Sequence, residues 1–137
     1  MTPSRYLLDT NTASYIIKGN MPQVRERLLK VPLGQISISA VTEAELLFGA
    51  ARVPEAVRLK TAVDEFLLRV DRLAWGSDAA QQYSHLRATL ERDGVAMGNL
   101  DLMIAAHALA IGAVLVTHDR AFRRVKDLRI EDWSKPQ

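Results

Sequence analysis

The chain has 137 residues, 48% hydrophobic and 25% charged, the size and balance of one folded domain rather than of a disordered or fibrous segment. It contains no cysteine, which excludes disulfides, thiolate metal sites and a cysteine nucleophile, and which fits a cytoplasmic protein. The formal net charge is only +2, but if several of the 16 acids face a bound cation, the remaining surface is more basic and suits a polyanionic partner.

A strand is expected near 5–8, followed by a helix near 11–18 that stops at Gly19-Asn20. A second helix, near 22–30, opens at Pro22, a favoured first-turn residue, and ends before Pro32. The alternating run 35–39 is the next strand, and a helix follows from Thr42 to about Arg52. Pro54 opens a longer helix in which Val63, Phe66, Leu67 and Val70 form one apolar stripe. A short strand, Arg72–Trp75, precedes a helix from Asp78 to about Arg92. The last elements are a helix from Leu100 to Ile111, a strand from Ala113 to Val116, a helical turn from Asp119 to Arg124 and an edge strand at Arg129-Ile130. Strands alternating with helices predict an α/β fold with a largely parallel sheet, roughly five-stranded, and helices on both faces.

One domain is expected over 1–137, with a helical arm at about 42–70. Within that arm Ala44–Ala51 is apolar almost all round, which predicts a surface for dimerisation or for gripping another chain. No basic segment followed by an apolar stretch opens the chain, so no secretory leader is expected. The most hydrophobic region, 102–116, is too short to span a bilayer and is interrupted by Gly112, so no membrane association is expected.

Four acids stand at related places in this pattern. Asp9 ends the first strand, Glu45 lies in the helix after the second, Asp101 opens the helix that feeds the fourth strand, and Asp119 closely follows that strand. In a parallel sheet the chain leaves every strand at one edge, where ligands bind, so acids far apart in sequence can converge there. Each also has a purely structural reading. Asp9 and Asp119 can cap the segments after them. Thr42 to Glu45 fits a T-x-x-E capping box, with Glu45 reaching back to the Thr42 amide. Asp101 sits in a first turn, where the helix dipole favours negative charge. Asp78, at the Gly76-Ser-Asp junction, is assigned to capping alone.

The joint pattern outweighs the single readings. Carboxylates about 5 Å apart repel by roughly 3 kcal/mol per pair at an effective dielectric of about 20. Protonation or a bound cation relieves such repulsion. Oxygen-only ligands select Mg²⁺ or Mn²⁺ over zinc or copper. His85 is expected to be solvated and His107 to make a core or interface hydrogen bond, since it is six residues beyond Asp101 and on the other flank of the helix. His118 falls at the rim of the acids. Phosphate-binding, dinucleotide and nucleophile-elbow motifs are absent from the sequence. The exposed-looking cluster Arg120, Arg123, Arg124 and Lys126 follows the last acid, where a phosphate backbone needs positive contacts. The rival readings are a non-catalytic nucleic-acid-binding regulator, with the acids serving as caps, and a small phosphomonoester hydrolase.

The motifs carry a resemblance. The runs Leu7-Leu-Asp-Thr-Asn11, Ile38-Ser-Ala-Val-Thr-Glu-Ala-Glu-Leu-Leu-Phe-Gly49, Gly98-Asn-Leu-Asp-Leu-Met-Ile-Ala-Ala-His-Ala108 and Leu115-Val-Thr-His-Asp-Arg-Ala-Phe122 resemble those of PIN-domain toxins of the VapC family. The match spans essentially the whole chain. It implies a three-layer α/β/α sandwich and a metal-dependent endoribonuclease, the toxin of a toxin–antitoxin pair. The family's four acids fall on Asp9, Glu45, Asp101 and Asp119, with Asp9 and Asp101 at the positions credited with holding Mg²⁺. Asn11 and Thr117 match polar positions lining the same pocket. The resemblance also implies a VapB-type antitoxin along the helical arm, a homodimer and an RNA substrate. The ending Leu128-Arg-Ile-Glu-Asp-Trp133 is similar to the branch associated with initiator tRNA. Many members carry Asn where this chain has Leu100, and Asn or Arg where it has His118.

Overall fold

The computed structural model describes residues 5–136. Within them five short strands form one sheet: β1 (Tyr6–Leu8), β2 (Ile36–Ser39), β3 (Asp71–Leu73), β4 (Val114–Val116) and β5 (Ile130–Glu131). Their order is β3-β2-β1-β4-β5, and every pairing is parallel. The apolar β1 therefore lies in the centre, with Leu7 opposite Ser37 on one side and Leu8 opposite Val116 on the other. The chain winds outward from β1 through β2 to β3, then returns to the far side of β1 for β4. The strand order reverses between β1 and β4, and such a switch point opens a crevice at the carboxyl ends of the strands.

Among the described residues, six α-helices cover the sheet: α1 (Thr10–Lys18), α2 (Pro22–Leu29), α3 (Ala40–Ala51), α4 (Val57–Arg69), α5 (Ser77–Arg92) and α6 (Asn99–Ile111). Successive strand residues point to opposite faces, and two buried clusters result. Leu8, Val116, Ile36 and Ile38 pack with Ala13 of α1, Val24 of α2 and Val63, Phe66 and Leu67 of α4. Leu7 and Leu115 pack with Leu86 and Leu90 of α5, Leu102, Ile104, Ala105 and Ala108 of α6, and Phe122. The molecule is thus the expected α/β/α sandwich. Gly19 and Gly112 end α1 and α6 in the left-handed region, each with φ 66°, where a residue with a Cβ is strained.

Three local expectations are corrected. α3 starts at Ala40, not Thr42. Its cap is Ser39, whose hydroxyl accepts from the Val41 amide at 3.1 Å, so β2 passes into the helix with no loop. Thr42 is therefore buried inside the first turn, and no Thr42–Glu45 capping box forms. α4 starts at Val57, and Pro54 stands in the turn before it. Asp78 does not cap α5. Gly76 holds that position with no side-chain bond, and Asp78 falls in the first turn, where its charge favours the dipole.

Candidate active site

Asp9 and Asp119 leave the two strands at the switch point. Asp9 is only 4% exposed. Its amide donates to the Val116 carbonyl at 3.1 Å, which ties it to the end of β4. Its Oδ1 accepts from the Thr12 amide at 2.8 Å and so caps α1. The Thr12 hydroxyl donates to the same Val116 carbonyl at 3.1 Å, fixing the start of α1 against β4. Asp119 is held in a similar way. Its amide donates to Thr117 Oγ1 at 3.0 Å, and its Oδ1 accepts from the Ala121 amide at 2.9 Å, capping a 3-10 turn over Arg120–Arg124. Both acids are caps, and each cap engages one carboxylate oxygen.

Glu45 reaches α1 rather than its own helix end. Its Oε1 accepts from Thr10 Oγ1 at 2.6 Å, and Thr10 in turn lies 3.2 Å from Thr42 Oγ1. Asp101 is half-buried in the first turn of α6. Burial raises its carboxyl above the usual range, and the charges of Asp119, Asp9 and Glu45 each raise it further. The charges of three acids from three other segments thus all reach Asp101.

The donors in this set are all oxygens, and like charges so gathered favour a hard cation. Among the described residues, no three Asp, Glu, Cys or His side chains already close round a point as a complete ion shell does.

A PIN domain model matches residues 6–128. The tRNA(fMet)-specific endonuclease VapC of Shigella flexneri is 39% identical over 131 residues, covering 95% of this chain and 98% of that protein. Ribonuclease VapC2 of Rickettsia felis is 34% identical over 132 residues, covering 95% and 98%. This chain belongs to the VapC family of PIN-domain ribonucleases. A DNA-bound VapBC complex from Salmonella typhimurium superposes with a TM-score of 0.89 at 36% identity, covering 96% of this chain and 99% of that one. The fold is thus matched along the chain's length, and the chain is a nuclease by family. PIN-domain ribonucleases are metal-dependent, and the non-catalytic regulator is not favoured. Among the described residues, no helix is long and apolar enough to cross a membrane.

The remaining candidates of this VapC-family chain occupy distinct places. Asn11 is exposed on the first turn of α1, whereas Thr117 is 1% exposed and acts through its bond to the Asp119 amide. Arg120, Arg123 and Arg124 are exposed on a turn anchored by the buried Phe122. His85 is exposed, as expected. His107 is buried, with Nδ1 2.8 Å from Ser39 Oγ, and burial pushes its pKa down. His118 is exposed, its Nε2 3.1 Å from the Tyr15 hydroxyl. Sequence reasoning missed Thr10 and Thr12. Thr12 was accessible as the third residue after a capping Asp, but the Thr10 bond to Glu45 spans 35 residues and has no local signal. Also missed was an open groove of about 730 Å³ that begins at Thr10 and Glu45 and runs on to Arg52 and Trp75.

Proposed function

We propose that this VapC-family chain is a Mg²⁺-dependent endoribonuclease in which Asp9 and Asp101 hold the ion, with Mn²⁺ an effective substitute. The observation that carries this reading is the raised proton affinity of Asp101, which burial and then three other acids impose. A cation bound there would neutralise charge at the scissile phosphate and acidify the attacking water. Glu45, oriented by Thr10, positions that water and takes its proton. Asp119, fixed by its cap and by Thr117, supports the same step from the end of β4. Asn11 and Thr117 provide polar surroundings, and Arg120, Arg123 and Arg124 take phosphates that flank the cut.

The substrate is RNA, and the names of relatives that act on tRNA(fMet) favour a tRNA. VapBC complexes among similar structures support a VapB-type antitoxin as the cognate partner. Exposed Leu47 on α3 and exposed Val57 and Leu68 on α4 give the helical arm at 42–70 an apolar face suited to a second copy of the chain. Such a pair works in the cytoplasm. The deciding experiment incubates antitoxin-free protein with total RNA, with and without Mg²⁺, and maps new ends. Cleavage that needs Mg²⁺ and vanishes in Asp9→Asn and Asp101→Asn is expected. Unchanged Mg²⁺-dependent cleavage in both variants would overturn the assignment.

A further inference from the structure

Ser39 and His107 join the two helices that carry Glu45 and Asp101. Ser39 is at once the last residue of β2 and the cap of α3, and it is fully buried. His107 stands on α6, is 2% exposed, and places Nδ1 2.8 Å from Ser39 Oγ. Among the described residues this is the one side-chain hydrogen bond between α6 and the passage from β2 into α3. Ser39 lies six residues before Glu45, and His107 six after Asp101. Each acid is thus about 9 Å along its helix axis from the contact.

The direction of the bond follows from the proton count. Ser39 Oγ accepts from the Val41 amide at 3.1 Å and has one proton of its own to give. A buried hydroxyl needs an acceptor for that proton, and Nδ1 is the one that meets it among the described residues. Nδ1 therefore accepts, and the ring proton rests on Nε2. Burial lowers the ring's pKa and so favours this neutral form.

Packing alone gives α6 a weak register at this point. Ala105, Ala106 and Ala108, on either side of His107, are fully buried. Methyl groups make shallow ridges, and it is ridges set into grooves that stop one helix sliding on another. A directional bond from the helix interior supplies what the alanines lack. The charge of Glu45 reaches Asp101, so the geometry held by this bond is that of a single site.

We propose that His107 is a positioning residue for the nuclease reaction, which fixes through Ser39 the register of α6 against α3 and with it the separation of Asp101 from Glu45. This rests on the ribonuclease reading of the acids. Its consequence is catalytic because a displacement of about 1 Å at reacting groups can cost roughly a hundredfold in rate.

The test separates position from stability. His107→Leu removes the acceptor, and His107→Asn keeps one near the place of Nδ1. Val24→Ala, in the core under α2, is the control weakened elsewhere. Folding of each is checked by circular dichroism and Tm. Purified, antitoxin-free protein is then titrated with Mn²⁺ alone, free ion being read by its electron paramagnetic signal, and Asp101→Asn identifies the site by losing that binding. Cleavage kinetics follow on an RNA found by mapping ends. His107→Leu should bind Mn²⁺ roughly tenfold or more weakly and lose roughly ten- to hundredfold in kcat, with KM for RNA little changed. His107→Asn should restore both, and Val24→Ala should keep both despite its lower Tm. Wild-type kcat and Mn²⁺ affinity in folded His107→Leu would overturn the inference, as would equal losses in His107→Asn or Val24→Ala. If His107→Leu does not fold, His107→Gln, whose amide falls where Nε2 was, replaces it under the same criteria. Failure of the nuclease reading shows separately, as wild-type protein that does not cleave, and the Mn²⁺ titration still decides the role of His107.

Discussion

The hydroxyl of Thr10 donates to Oε1 of Glu45 at 2.6 Å, joining the residue after Asp9 to the middle of α3. A hydroxyl has one proton to give, so with Thr10 committed to Glu45, the 3.2 Å contact with Thr42 is a donation from Thr42 to Thr10. The relay holds one oxygen of Glu45 in place and leaves the other free to turn toward a water. Replacing Thr10 by Val keeps the shape and removes the donor. Cleavage should fall roughly ten- to hundredfold, the size of one hydrogen bond to a charged group, with the loss mainly in kcat. Thr10→Ser should restore most of it. A Val variant with wild-type kcat would free Glu45 from this role.

Asp101 makes the protein less stable when ionised. Its folded-state carboxyl is raised, first by burial and then by Asp119, Asp9 and Glu45, so the folded chain holds that proton more tightly than the unfolded chain. The penalty is absent below the unfolded value of 3.8, grows as pH rises from there to the folded value, and is complete above the folded value. Asp101→Asn should therefore raise Tm by a few degrees at neutral pH without metal, while cleavage is lost. Added Mg²⁺ should raise Tm in wild type far more than in the variant. A lower Tm in metal-free Asp101→Asn would contradict this account.

His107 works in the opposite sense. Burial lowers its pKa from 6.5, so the folded chain prefers the neutral ring beside Ser39. Its contribution is fully present above about pH 6.5 and is lost as pH falls, because the unfolded chain then takes up the proton first. Urea unfolding at about pH 7.5 and about pH 5 should show wild type losing more stability on acidification than His107→Gln. Equal losses would show that the ring is not held neutral.

The arginines after Asp119 are predicted to act through phosphate alone. Arg123→Ala with Arg124→Ala should weaken RNA binding across sequences alike, and each lost contact should flatten the plot of log affinity against log salt by about 0.7. An unchanged slope would leave these exposed residues as ordinary surface.

How much of this was legible beforehand follows from the range over which each signal acts. Pro22 and Gly112 punctuate helices through their own backbone geometry, so the ends they mark were read within a residue or two. The start of α3 was misplaced because Thr42 and Glu45 satisfy a local pattern equally well, and only the direct passage of β2 into the helix makes Ser39 the cap. Trp75 looked like the end of a strand; its position in a groove depends on α6, which donates the Met103 carbonyl from 28 residues away.

The amino-acid sequence alone determined the alternation of strands and helices, the placing of four acids at their junctions and the exclusion of thiol chemistry, since hydrophobic period and residue type are properties of neighbours along the chain. Only the folded molecule decided that β1 lies between β2 and β4, that Glu45 turns to Thr10, and that an aromatic groove opens beside Asp101. Those outcomes depend on which helix faces which across the sheet. Buried packing and the need to satisfy each buried polar group choose among partners that lie far apart along the chain.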